Sequence, residues 1–156
     1  MWESTDWLEK KDEAAEAGDS VGTKATGCIL IVDDDPHFLR VLGRILSGEN
    51  FQVNAASGAT EALDLLRKNR YDVIISDLRM PDNDGLSLLQ QIRTAGSEVP
   101  VIILTAYGEV DTYLEAMNAG ATEYLNKPIK SDELLKVVRT CLRFRNSHRD
   151  EKPHSP

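Results

Sequence analysis

The 156-residue chain is poor in cysteine, poor in aromatics, short of basic residues and without any long apolar run. Each shortage excludes something. Cys28 and Cys141 are the only cysteines and lie far apart with no metal-ligand spacing around them. A disulfide scaffold and a cysteine-based metal site are therefore excluded, and buried thiols in a reducing compartment are expected. His37, His148 and His154 are scattered and pair with no other ligand type at motif spacing. No apolar run approaches the length of a membrane span, so no membrane insertion is expected. Lys and Arg number 18 against 26 Asp and Glu, a net charge of -8. That balance disfavours direct nucleic-acid or anionic-membrane binding, which needs a basic surface. The N-terminus is acidic and polar, neither secretory signal nor transit peptide, and the expected location is cytoplasmic.

What is present divides into three parts: an acidic tail over 1–26, one domain over 27–145 and a disordered C-terminal tail over 146–156. In residues 1–27 seven acids face three lysines, or -4, half the charge of the chain. Asp6 to Ala17 reads as a marginal helix or a mobile tail, because its face is too poor to bury much. Trp2 and Trp7 are unusual there. They suit either a docking peptide for a partner or packing against the domain.

From Cys28 the pattern is regular. Cys28–Val32 reads as a buried strand, and Asp35-Pro36 opens a helix to about Ser47 with Phe38, Val41, Leu42, Ile45 and Leu46 at helical spacing. Phe51–Ala55 is a short strand. Ser57 or Gly58 opens a second helix. Val73–Ser76 is a buried strand, and Asp84 caps a third helix carrying Leu86, Leu89 and Ile92. Val99–Leu104 is a strand. A helix follows over about Glu109–Asn118, with Gly120 as its stop. Thr122–Leu125 is a last short strand, and Ser131 caps a fifth helix. Five strand–helix alternations predict an α/β fold, a doubly wound parallel sheet covered on both faces.

The strands deliver chemistry at their carboxyl ends: Asp33 and Asp34, then Asp77, then Thr105, then Lys127. In a parallel sheet these ends share one edge and can converge on one pocket. Crowded carboxylates are relieved by a hard divalent cation, and oxygen-only ligands suit Mg²⁺. Lys127 adds a fixed positive charge and Thr105 a hydroxyl donor. Together they make a phosphoryl-transfer site, with Asp77 as the nucleophile because it stands alone at a central strand end. Each residue alone has a plainer explanation: an Asp run caps a helix, and Lys-Pro is a common turn. All five at the ends of four strands are hard to obtain by accident.

ILIVDDDP at 29–36, DVIISDLRMPDNDG at 72–85, VIILTAYGEVD at 101–111 and AMNAGATEYLNKP at 116–128 resemble the receiver domain of bacterial two-component response regulators. The motif wording is nearest to nitrogen-regulation-type receivers. The resemblance implies a flavodoxin-like, five-stranded parallel sheet of order 2-1-3-4-5. It also implies that Asp77 takes a phosphoryl group from a sensor histidine kinase or phosphotransfer protein. Asp34 and Asp77, with the backbone carbonyl of Arg79, are implied Mg²⁺ ligands, and Asp33 is implied to act mainly through a metal-bound water. Lys127 is implied to contact the phosphate, with a cis bond to Pro128. Thr105 and Tyr124 are the implied switch pair, making 109–143 a readout face for a downstream protein target or a homodimer. Arg79 and Tyr107 lie where they crowd an attacking water. The expectation is that Tyr107 lengthens the life of the acyl phosphate, so that Tyr107→Ala speeds dephosphorylation.

No output domain follows Phe144, so a stand-alone receiver is expected, signalling by protein contact rather than acting as a turnover enzyme. Lys136, Arg139, Arg143 and Arg145 suit an acidic partner or a second copy, or simply a solvated face. Two rivals remain. One is a haloacid-dehalogenase-type phosphohydrolase using the Asp-x-Asp of Asp33–Asp35. It requires a late acidic pair where this chain has Asn126-Lys127. The other is a phosphorylation-independent binding module.

Overall fold

The computed structural model describes residues 26–80, 85–106 and 110–151, with side chains in the last helix as far as Phe144. Expectations for the N-terminal tail, the Asp84 cap, Tyr107, Glu109 and the Arg145 side chain fall outside these residues. Strands β1 (Gly27–Val32), β2 (Phe51–Ala56), β3 (Val73–Ser76), β4 (Val101–Thr105) and β5 (Glu123–Asn126) alternate with helices α1 (Pro36–Ser47), α2 (Ala59–Lys68), α3 (Gly85–Thr94), α4 (Val110–Asn118) and α5 (Ser131–Glu151). All strand pairs are parallel and the order is β2-β1-β3-β4-β5. The order reverses between β1 and β3, which opens a crevice at their carboxyl ends.

The apolar runs are continuous because both faces of the sheet are covered. Alternate residues of each strand serve opposite cores. Leu30, Val32, Ile74 and Ile103 pack with Ala59, Ala62, Leu88, Leu89, Ile92 and Ala116 of α2, α3 and α4. Ile29, Ile31, Val73, Ile75, Ile102 and Leu104 pack with Leu39, Leu42, Leu46, Leu134 and Val138 of α1 and α5. Ile29, Leu30 and Ile31 are completely buried. Each such side chain contributes roughly 1.5–3 kcal/mol.

Local chemistry sets the boundaries. Asp35 caps α1, its side chain accepting the His37 N–H at 3.0 Å, and Pro36 starts the helix. Gly58 occupies the α2 cap position, while Glu61 reaches back to the Ser57 N–H and hydroxyl at 2.7 and 2.9 Å. Gly120 closes α4 with φ 106°, a left-handed conformation that costs glycine little.

Several expectations shift. The buried stripe of α1 includes Leu39, and Val41 stands 41% exposed because it projects away from the line through Leu39, Leu42 and Leu46. Strand β4 begins at Val101, since Pro100 has no N–H to give the ladder. Strand β5 is shifted by one residue to Glu123–Asn126 and is only half-buried, in contrast to β2 at the other edge of the sheet. Cys28 is half-buried rather than buried, its thiol donating to Gln52 Oε1 at 3.5 Å, while Cys141 is buried as expected. Ser131 is the first residue of α5 instead of its cap, the first turn closing from the Leu134 N–H to the Lys130 carbonyl at 3.0 Å. The α5 backbone continues to Glu151, past the boundary expected at 145. Arginines in that stretch are good helix formers, and the next breaker in the chain is Pro153.

Candidate functional site

Backbone bonds carry the ladder one step beyond the strands and so fix where the site residues start. The Asp33 N–H donates to the Ala56 carbonyl at 3.1 Å, the Asp77 N–H to Val32 at 2.9 Å and the Lys127 N–H to Thr105 at 2.8 Å. The three carboxylates of Asp33, Asp34 and Asp77 each place an oxygen within 4.8 Å of the others. Asp33 and Asp77 are buried and Asp34 is exposed. Lys127 lies across the pocket, its Nζ 2.7 Å from Asp33 Oδ2 and 3.5 Å from Asp77 Oδ2. The Lys127–Pro128 bond is cis. Thr105 is fully buried at the end of β4.

Asp33 Oδ1 accepts the Asp35 N–H at 2.9 Å, and Asp77 Oδ1 accepts the Leu78 N–H at 2.7 Å. Each buried carboxylate therefore has one oxygen held by backbone and one turned to Lys127. Burial raises Asp33 above the ordinary carboxylate range, and the hydrogen bonds from Lys127 and Asp35 only partly oppose it. Burial alone would lower Lys127. The Asp33 and Asp77 carboxylates outweigh it and hold the ammonium above its usual value, so it is charged at neutral pH.

Three carboxylates against one ammonium leave a charge of -2 (3 − 1 = 2). At an effective dielectric of about 20, the two contacts of Lys127 are worth roughly 6 and 5 kcal/mol, and each carboxylate pair, lying within 4.8 Å, costs at least about 3.5 kcal/mol. Repulsion is therefore at least comparable to attraction, and the desolvation of Asp33 and Asp77 is added to it. An all-oxygen donor set with that residual charge fits a hard divalent cation such as Mg²⁺.

Two supporting residues went unread in the sequence. Gly85 donates its N–H to the Leu78 carbonyl at 2.6 Å, and a Cβ built on it would lie 2.0 Å from the Asp77 carbonyl oxygen. Only glycine lets α3 start so close to the loop that carries Asp77. A glycine opening a helix, where propensity disfavours it, was the available signal. Phe38 lies under Lys127, with Nζ 4.1 Å from the ring centroid. Its helical spacing marked it only as core.

Tyr124 is half-buried, its hydroxyl 2.8 Å from that of Thr112 and its ring edge-on to Tyr113 at 5.4 Å. It thus engages α4, beside the exposed Val110, Tyr113 and Leu114. Arg79 is exposed beyond Asp77. On α5, Arg139 is tied to Glu49 at 2.5 Å, which leaves Lys136 and Arg143 as the exposed bases beside it. Asp35, the second acid of the Asp-x-Asp in the hydrolase rival, is exposed and accepts the His37 N–H through Oδ1 as the α1 cap.

Residues 29–139 match the model of the response regulator receiver domain. The chain belongs to that family. It is 38% identical over 124 residues to the response regulator protein PilR of Pseudomonas aeruginosa, covering 80% of this chain and 28% of PilR. It is 41% identical over 128 residues to the response regulator MprA of a Mycobacterium species, covering 82% of this chain and 55% of MprA. This receiver thus spans between about a quarter and about half of those relatives. Among solved structures it resembles the receiver domain of Francisella response regulator 1452, with a TM-score of 0.74, 32% identity and coverage of 77% and 99% of the two chains. A CheY-like receiver from Methanospirillum hungatei gives a TM-score of 0.76 at 28% identity, covering 81% and 99%. The sheet order expected from the resemblance is the one observed. Receiver domains are signalling modules of two-component systems rather than typical turnover enzymes, and response regulators work with histidine kinases. Among the described residues no helix is long and apolar enough to cross a membrane.

Proposed function

We propose that this receiver accepts a phosphoryl group from the phosphohistidine of a sensor kinase or phosphotransfer protein onto Asp77, and that the modification switches a protein-binding surface. The observation that carries this reading is the convergence of Asp33, Asp34 and Asp77 within 4.8 Å, with Lys127 between the two buried members. A carboxylate oxygen of Asp77 attacks phosphorus. The P–O bond forms as the P–N bond breaks, and the electron pair returns to the imidazole, which takes up a proton. Asp33, Asp34, Asp77 and the backbone carbonyl of Arg79 would hold Mg²⁺. When bound, it neutralises charge on the transferring oxygens.

Lys127 turns its ammonium from Asp33 and Asp77 toward the incoming phosphoryl oxygens, and its perch over Phe38 limits where it can go. Thr105 supplies a hydroxyl from a fully buried position. The bond from the Lys127 N–H to the Thr105 carbonyl joins the two at the backbone, next to the β5 segment that carries Tyr124. Thr105 and Tyr124 then form the switch. The face over 109–143, with Val110, Tyr113 and Leu114 exposed on α4, meets a downstream protein or a second copy. A coupling of about 1–3 kcal/mol suffices for such a switch. Arg79 and Tyr107 tune the life of the acyl phosphate by crowding water.

The test is intact mass after incubation with Mg²⁺ and a small acyl-phosphate donor. One phosphoryl adduct is expected. It should be absent in EDTA and absent in Asp77→Asn. An adduct that survives the substitution would remove Asp77 from its role.

A further inference from the structure

At the opposite edge of the sheet from the acid pocket, the ends of α2 and α3 part around a groove of about 510 Å³. Leu63, Leu66, Tyr71, Ile92 and Val99 give it an apolar lining, and Arg67 and Arg70 form an exposed basic margin. Arg67 is paired with Asp64 at 2.5 Å, whereas Arg70 makes no ion pair among the described residues. Among the described residues no acidic side chain lines the groove. Neither the Asp77 chemistry nor the 109–143 face draws on it.

We propose that the groove is the docking site for the N-terminal segment of the same chain, with Trp2, Trp7 and Leu8 seated in it. Three observations favour this occupant over a foreign one. The first is where the segment enters the fold. The Cys28 N–H donates to Asp72 Oδ2 at 2.9 Å, and the Asp72 N–H donates to the Cys28 carbonyl at 2.8 Å. The chain therefore joins the domain beside Asp72, whose neighbour Tyr71 lines the groove.

The second is reach. Seventeen residues separate Leu8 from Thr26. A flexible stretch of that length has an end-to-end distance of about 24 Å. That compares with a radius of gyration of about 13 Å for a domain of this size, so the segment reaches the groove without being stretched. Tethering also gives an effective concentration in the millimolar range, far above what a free peptide of similar affinity would need.

The third is chemistry. The segment carries the only two tryptophans of the chain, flanked by Glu3, Asp6 and Glu9. Large aromatic anchors ringed by acids complement an apolar groove with a basic margin. The volume lies within the roughly 300–1,000 Å³ of pockets that hold compact apolar ligands.

Because both tryptophans lie in the segment, the intrinsic tryptophan emission of the full chain reads the docking directly. The native protein is expected to emit to the blue of the urea-unfolded protein and to resist acrylamide quenching several-fold. Leu66→Glu and the surface substitution Arg70→Glu should move the emission to the red and restore quenching, with far-UV dichroism unchanged. Glu3→Lys combined with Asp6→Lys should recover the blue emission in the Arg70→Glu background. Solvent-exposed emission from the native chain would overturn the proposal. So would a blue emission indifferent to both groove substitutions. Emission that reddens on dilution as a dimer dissociates would assign the groove to the segment of a second copy, and would equally overturn it.

Discussion

The two edges of the sheet treat buried polar groups in opposite ways. At the amino edge each of the following is matched by a neutral or opposite partner. Arg93 donates to the carbonyls of Ser97, Val99 and Gly120 at 2.7–3.1 Å. The Tyr71 hydroxyl meets Asn54 at 2.9 Å, and the Thr122 hydroxyl accepts the Val101 N–H at 3.1 Å. At the carboxyl edge three carboxylates converge and one lysine pairs with the two buried ones. The strands are the same and the geometry is the same. What differs is that the amino edge pairs these buried polar groups within the fold, while the carboxyl edge leaves its buried acids with a deficit for a cation to fill. That deficit, more than burial or charge alone, separates functional from structural polar residues in this fold.

The comparison breaks most visibly at Lys127. Lys127→Ala leaves buried acids without their counter-charge and should cost about 3 kcal/mol of unfolding free energy in EDTA. Added Mg²⁺ should recover much of that loss, which urea titrations with and without the ion would show. Arg93→Ala removes a half-buried guanidinium from three carbonyls and should cost about 2 kcal/mol. Its response to Mg²⁺ should equal that of the parent, since no carboxylate cluster stands at Arg93 to take a cation.

The smallest expected effect is in pH. Burial, with help from Glu123, raises the Cys141 thiol to about 11, and burial raises the Tyr71 phenol to about 12. Both groups hold their protons longer in the folded state than in the unfolded one. Their contribution is therefore complete below about pH 9 and is lost as pH rises through the folded values. By pH 10 the loss should be about 1 kcal/mol from Cys141 and a few tenths from Tyr71. Cys141→Ala should remove the larger part, as urea midpoints between pH 8 and 10 would report.

The strands were legible because a doubly covered sheet writes its strands as unbroken apolar runs, and ILIV before Asp33 and VIIS before Asp77 are such runs. The positions of Asp33, Asp34, Asp77, Thr105 and Lys127 were legible for the same reason: each sits where a run stops. Relations across the chain were not. Phe38 under Lys127, Gly85 against the Asp77 backbone and the Arg93 clamp on Gly120 join residues far apart in sequence or across a turn, and local pattern carries no trace of them. The half-burial of β5 is set by its polar ends, Glu123 and Asn126, which are exposed while Tyr124 and Leu125 are partly covered. The end of α5 is not legible in the sequence, because the continuation beyond Phe144 is polar and carries no apolar stripe, yet no breaker stands before Pro153.

The central claim is that Asp77 carries charge the fold does not balance by itself. The most direct measurement is the unfolding free energy of the parent and of Asp77→Asn in EDTA and again in Mg²⁺. In EDTA the variant should be the more stable by about 2 kcal/mol, because two carboxylate repulsions are relieved for one lost lysine contact. At a hundredfold excess over its dissociation constant, Mg²⁺ should add about 2.7 kcal/mol to the parent and much less to the variant. A variant that is less stable in EDTA and gains as much from Mg²⁺ as the parent would contradict the account.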